Sequence, residues 1–277
     1  MPIRILVALD DTPGAQAARD LAVALARRTG AGLTAAVVLD RPHTSSAHEF
    51  VPAGGGAFKA WRDAALTARA EQEAQDALAA LAAAAGDVPF AALRLEDAPE
   101  PALLAASAAQ DLVVIGLDSS LGRELPEDGV APVIEDLLKD GTRPLLVVPP
   151  GAPPEIAGPV VAAHDGSAPS RQALRGFARL KLGGGSPVHV VAVAGTRAEA
   201  ERLAAEGAAC LEPGGPAAPR PVVGDDAARL VLAEVAALGA RLLVMGAFGG
   251  NPLLRMVVGS TTHTLLRDAG VPVFVQR

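Results

Sequence analysis

The chain has 277 residues, of which 50% are hydrophobic and 20% charged, so it has material for one or two packed domains. A net charge of −7 lacks the basic excess of a general nucleic-acid binder, and with aromatics at 3% and no tyrosine it offers few base-stacking platforms. A single cysteine, Cys210, excludes a disulfide framework and a cysteine-based metal site.

The N-terminus, Met1-Pro2-Ile3-Arg4-Ile5-Leu6-Val7, enters a strand directly, with no basic segment followed by an apolar stretch and a small-residue cleavage site. No run approaches the ~18 consecutive apolar residues of a membrane span. No signal peptide and no membrane partner are expected, and the expected location is the cytoplasm.

The elements come twice. Arg4 to Leu9 is an apolar run that ends at Asp10, and Pro159 to Ala163 is another that reaches Asp165 through His164. Each continues into a helical segment, Ala15 to Arg28 and Ser170 to Leu180. Leu112-Val113-Val114-Ile115-Gly116 matches Leu242-Leu243-Val244-Met245-Gly246, and Leu145 to Val148 matches Val273 to Val275. Helices are expected between these pairs, over Val133–Lys139 and Ser260–Asp268. Pro149 to Pro154, rich in Pro and Gly, reads as the linker. The expected organisation is therefore two domains, 1–149 and 158–277.

Continuous apolar strands alternating with Ala/Leu-rich helices predict an α/β fold, with a doubly wound, mostly parallel sheet of five strands in each domain. In the second copy the strands are expected at 159–163, 188–193, 220–223, 241–245 and 272–275. The copies differ in the middle: Asp10 to Gly116 spans 106 positions, Asp165 to Gly246 only 81. The surplus lies mostly between Arg41 and Ala85. There His43 to Lys59 reads as a mobile loop and Trp61 to Ala84 as a long helix. The second copy has a short helix at 197–205, then a Gly/Pro/Ala-rich connection at 212–219.

The stretch Gly246-Ala247-Phe248-Gly249-Gly250-Asn251-Pro252-Leu253-Leu254-Arg255-Met256-Val257-Val258-Gly259-Ser260-Thr261 follows a strand and opens a helix. Glycines there let backbone approach a ligand closely. A helix start presents unpaired N–H groups and a positive dipole end, and the Ser260 and Thr261 hydroxyls add donors, which together suit phosphate. The same run also fits an ordinary helix N-cap. It is neither a P-loop, since no Gly-Lys-Ser/Thr occurs, nor the dinucleotide G-x-G-x-x-G.

Gly246, Gly249, Gly259 and Ser260 fit G-x2-G-x9-G-[ST], and this spacing resembles the ATP-binding signature of the universal stress protein family. The strand ending near Asp165, with Ser167 two residues on, and the closing segment Leu265 to Val275 resemble the same family. The resemblance covers nearly the whole chain as a tandem pair, more specifically in the second copy. It implies Rossmann-like domains and binding of ATP, with or without Mg. Asp165 would contact the ribose or adenine end. Ala163 and Val193 would line the adenine pocket, Met245 and Gly246 would approach ribose and phosphates, and Gly249, Gly259, Ser260 and Thr261 would cradle the phosphates. Ala163 and Thr261 depart from the Pro and Val often found at those positions; both leave backbone contacts intact. Paired last strands, common in the family, imply that Leu145–Val148 and Val273–Val275 pack the copies together as an intramolecular pseudo-dimer; association of two chains as a homodimer stays open.

The first copy departs further. Gly116 to Pro132 has no Gly-Ser at the second helix start, and Asp118, Glu124, Glu127 and Asp128 place negative charge where phosphates would sit. That loop implies a degenerate site. His43, His48, His164, His189 and His263 show no metal-ligand spacing, and no residue stands out as catalytic. The preferred reading is a stress-response adenine-nucleotide sensor or regulator with one site, in the second domain. Two alternatives are weighed against it: slow ATP hydrolysis or autophosphorylation, and a nucleotide-free interaction scaffold.

Overall fold

The computed structural model describes residues 2–45, 49–52, 54–211, 216–247 and 259–277. In the first half, strands β1 (Arg4–Leu9), β2 (Gly32–Val38), β3 (Phe90–Leu95), β4 (Leu112–Gly116) and β5 (Leu145–Val148) alternate with helices. These are α1 (Pro13–Thr29), the short α2 (Arg41–Thr44), α3 (Gly56–Ala85), α4 (Pro99–Ser107) and α5 (Pro132–Asp140). The second half repeats the pattern with β6 (Val160–Ala163), α6 (Ala168–Arg179), β7 (Val188–Ala194), α7 (Arg197–Leu211) and β8 (Ala217–Val223). It closes with α8 (Ala227–Ala237), β9 (Leu242–Gly246), α9 (Ser260–Asp268) and β10 (Val273–Gln276).

These ten strands form one sheet, in the order β3-β2-β1-β4-β5-β10-β9-β6-β7-β8. Every pairing inside a half is parallel. The single antiparallel pairing among the described residues joins the halves, with Val273 opposite Val147, Phe274 opposite Leu146 and Val275 opposite Leu145. The two expected five-stranded sheets are therefore continuous. The strands read as unbroken apolar runs because both faces are covered. One apolar layer holds Leu21, Leu25 and Leu81 with Leu174 and Phe177; the other holds Ile134 and Leu137 with Val231 and Leu265. Each layer draws residues from both halves.

The helix starts follow local rules. Thr12 caps α1 by accepting from Ala15 N–H at 3.2 Å, and Ser167 caps α6 by accepting from Ser170 N–H at 3.2 Å. Asp226 caps α8 in the same way. Three boundaries differ from expectation. β8 starts at Ala217 rather than 220, α7 runs on to Leu211 rather than 205, and α3 starts at Gly56, inside the stretch expected as a loop. Pro219 and Pro221 mask β8, because proline cannot donate to a ladder. An outer strand tolerates it, and there it discourages further pairing.

At the junction, Phe274 is fully buried and packs edge-on against Phe177, with ring centroids 6.4 Å apart. Arg28 of α1 reaches across to donate to the Leu182 carbonyl at 2.6 Å. Burial lowers the pKa of its guanidinium, and Glu155 opposes that shift. We expect Phe274→Ala to cost about 3–5 kcal/mol, the range for deleting a buried aromatic. Urea unfolding of the full chain measures it, and a loss under about 1 kcal/mol would mean that the junction is not a packed core.

Candidate functional site

The carboxyl ends of the central strands carry the same turn in both halves. Asp165 Oδ1 accepts from Ser167 N–H at 2.9 Å, with Gly166 between them at φ +76°. Asp10 Oδ1 accepts from Thr12 N–H at 3.0 Å and Thr12 Oγ1 at 2.7 Å. Next to each turn a glycine allows the neighbouring strand's end to touch a helix start. A Cβ on Gly246 would lie 2.6 Å from Pro169 C, and one on Gly116 2.5 Å from Gly14 C. No side chain fits at either point.

Beyond these shared features the halves diverge. In the second half a cavity of about 370 Å³ opens over the ends of β6, β7 and β9. Ala163, Val191, Val193 and Met245 form an apolar wall, with Val231 of α8 opposite. Asp165 stands exposed at the rim. Gly246, Gly259, Ser260 and Thr261 close the polar end. Gly259 is the N-cap of α9 in extended conformation (φ −61°, ψ 145°), and no side chain of its own caps the helix. Among the described residues no side chain caps the first turn of α9, which borders the cavity end, an arrangement that suits an anion.

Eight of the nine residues expected at the site, all but Gly249, border this one cavity. Gly249, and Arg255 with it, lie outside the described residues. The loop motif does not point to Ala227 and Val231, which sit one turn apart on α8 and also border the cavity. Their i,i+4 spacing was a legible signal.

His164 is buried and does not present its ring at the rim. Its Nδ1 lies 3.0 Å from Ser170 Oγ, and its Nε2 lies 3.7 Å from Glu206 Oε1. Burial lowers the imidazole pKa, and Glu206 and Asp165 oppose the shift. Gly207 makes room for the ring, since a Cβ there would lie 3.0 Å from His164 Cγ.

In the first half the loop after β4 folds down onto the strand end. Asp10 Oδ2 accepts from Leu121 N–H at 2.9 Å, and Asp118 Oδ1 accepts from Gly14 N–H at 2.9 Å. The second half cannot copy that bond, because Pro169 stands in the place of Gly14 and has no N–H. Leu121 (φ 49°) and Gly122 (φ 85°) turn the loop back, and Leu121 is buried. Arg123 then pairs with the buried Asp40 at 2.9 Å and with Glu100 at 2.6 Å. The helix that follows begins with Pro132 at its first position, which removes an N–H that Ser260 supplies in α9.

The loop acids therefore do not gather into one anion-repelling cluster. Asp118 pins the loop and Asp128 reaches across to the other half, 3.1 Å from His263 Nε2 on α9. Glu124 and Glu127 are exposed. Among the described residues, no group of three His, Cys, Asp or Glu side chains could hold a metal ion. No helix among them is long and apolar enough to cross a membrane.

Comparison with known proteins matches the universal stress protein family model to residues 1–149 and 194–277. The chain belongs to the universal stress protein family. A universal stress protein of Synechocystis sp. is 29% identical over 146 residues, 52% of this chain and 50% of that protein. The chain thus spans about half the length of that curated relative. A universal stress protein from Archaeoglobus fulgidus superposes with TM-score 0.70 at 17% identity, covering 99% of this chain and 98% of that one. A functionally unknown protein from Pseudomonas aeruginosa does so with TM-score 0.59 at 16% identity, over 99% and 92%. At these identities the superpositions establish the fold. They agree with the α/β class; the family read from the loop spacing agrees with the family model, whose second segment takes in Met245, Gly246 and the start of α9.

The buried His164 gives a pH test. Its folded pKa is depressed, so as pH falls the unfolded chain takes up a proton that the folded chain refuses. Its contribution is fully present above the ordinary histidine value of about 6.5 and is lost as pH drops toward the lower folded value. We expect the wild type to lose more stability than His164→Asn between about pH 7.5 and about pH 5.5, by urea unfolding. Parallel pH curves would contradict this.

Proposed function

We propose that this protein is a stress-response adenine-nucleotide binder, with one site, in the second half, acting as a sensor or regulator. One observation carries the reading. A single cavity places the apolar wall of Ala163, Val193 and Met245 beside the uncapped start of α9 at Gly259, Ser260 and Thr261. A nucleoside phosphate has a flat apolar base at one end and an anion at the other, and the cavity offers matching surfaces in that order. Asp165, exposed at the rim, would accept from ribose hydroxyls. ATP, alone or with Mg, is the favoured ligand, and Gly249 would join the phosphate cradle.

The first half serves as a nucleotide-free partner domain, 1–149, for the binding domain, 158–277, in a pseudo-dimer within one chain. Over its own strand ends lies a cavity of about 350 Å³ whose lining includes Asp10, Asp11, Asp40, Glu73 and the loop residues Leu121 and Arg123, an acidic lining unsuited to phosphates, and its second helix start carries Pro132.

Gly259→Asp separates binding from folding. Among the described residues nothing lies within 4 Å of a Cβ added at Gly259, and its φ is negative, so its backbone accepts aspartate. It would also cap α9 at least as well as glycine does. The carboxylate would occupy the anion position. We expect calorimetry with ATP to show binding to the wild type and an affinity roughly tenfold weaker or worse for Gly259→Asp, with thermal stability unchanged or slightly raised. Equal binding by both would remove the site assignment, and no binding by the wild type would remove the function.

A further inference from the structure

Helix α3 belongs to the segment that the second half lacks, and its first turns carry their polarity inside out. The solvent-exposed side chains between residues 57 and 68 are Ala57, Phe58, Ala60, Trp61, Ala64, Ala65 and Ala68, and every one is apolar. The charged residues of the same turns point inward and are half-buried. Lys59 and Arg62 pair with Asp63 and with Glu49, leaving no net charge. Positions 57, 60, 61, 64, 65 and 68 follow the i, i+3, i+4, i+7, i+8, i+11 rhythm by which a helix normally faces a core. Over the next two turns the exposed positions are polar, Arg69, Gln72, Gln75 and Asp76, so the apolar stripe has a defined end.

We propose that this stripe is the contact surface for a second copy of the same chain, two α3 helices packing antiparallel across a two-fold axis. The stripe is self-complementary about its midpoint, between residues 62 and 63. In an antiparallel pair Trp61 of each copy lies over Ala64 of the other, Ala60 lies over Ala65, and Ala57 lies over Ala68. Each indole thus meets a small side chain, and the alanines on either side let the helices approach closely. The same patch serves both copies, as a two-fold contact requires.

Area agrees. Trp61 is 68% exposed, Phe58 66%, and Phe50, adjacent to the Glu49 that holds Arg62, 87%. With aromatics contributing ~150–250 Å² each, these three leave on the order of 400 Å² uncovered. The alanines bring the patch to roughly 600 Å², at the upper limit for an unpartnered monomer and near the lower limit for one side of a stable interface. Local charge speaks against an anionic lipid surface, since both cations beside the stripe are already neutralised by Glu49 and Asp63. Edge pairing is discouraged at one end of the sheet, where Pro219 and Pro221 interrupt β8, and β5 and β10 are spent on each other; β3 keeps an open edge, and the stripe variants below separate that route from helix pairing.

Sedimentation equilibrium of the full chain, with Ala64→Glu and Trp61→Ser beside it, tests this. The wild type should sediment at twice the 27.8 kDa chain mass at micromolar concentration, and both variants at 27.8 kDa with unchanged helical circular dichroism. Two variants at different positions guard against one of them misfolding. A monomeric wild type would overturn the proposal, as would dimers that persist in both variants. A monomeric wild type that co-sediments with phosphatidylcholine–phosphatidylglycerol vesicles, where Ala64→Glu does not, would overturn it too and assign the stripe to lipid instead.

Discussion

The structure depends on the antiparallel pairing of β5 with β10. Each half is a five-stranded parallel sheet whose last strand would otherwise present a row of unpaired backbone groups. Two short apolar strands, Leu145–Val148 and Val273–Gln276, satisfy that row against each other and bury Phe274 at the seam. Short edges held in this way are protected from pairing with other chains. The pairing also makes each apolar layer continuous across the halves. Orientation follows from it as well: with the strands antiparallel, α9 of the second half comes beside the first half's loop, and Asp128 meets His263.

That contact shows what duplication followed by divergence has done. Both halves keep the aspartate turn at the end of the central strand, the hydroxyl cap at Thr12 or Ser167, and the glycine that touches the helix start. These are backbone requirements, and a change at any of them would disturb the fold. What differs is how the space above is used. In the second half it remains a cavity ending at an uncapped helix. In the first, Asp10 spends its second oxygen on Leu121 N–H, Asp118 takes the Gly14 N–H, and Arg123 satisfies the buried Asp40. The cavity left over β1 and β2 is lined by Asp10, Asp11, Asp40 and Glu73, where the second half's cavity ends at the start of α9.

The repeat, the strand ends and the loop motif were legible in the sequence because they follow from spacing: apolar runs of fixed length, an aspartate at each end, glycines at set intervals. Asp165 and Gly246 could be placed at strand ends in that way, whereas Ala163, Val193 and Met245 came only with the resemblance to the universal stress protein family. Less legible was β8, whose alanines and prolines carry little strand preference and which forms because β7 offers an edge. The acids of the first loop read as a repelling cluster from composition alone. Their partners, Gly14 and His263, lie more than a hundred residues away in the chain, so the contacts that spread them apart could not be seen. The apolar face of α3 hid behind an ordinary alanine-rich pattern. Periodicity identifies a stripe but does not say whether the stripe faces the core or the solvent.

The central claim is that one half of this duplicated chain holds an adenine nucleotide and the other does not. Photolabelling with 8-azido-ATP, followed by peptide mapping, addresses that directly. The account predicts a single label per chain, confined to peptides that carry Ala163, Val193, Met245 or Ser260, and competed away by unmodified ATP. Label on the peptides around Asp10 or Leu121, or equal labelling of both halves, would contradict it.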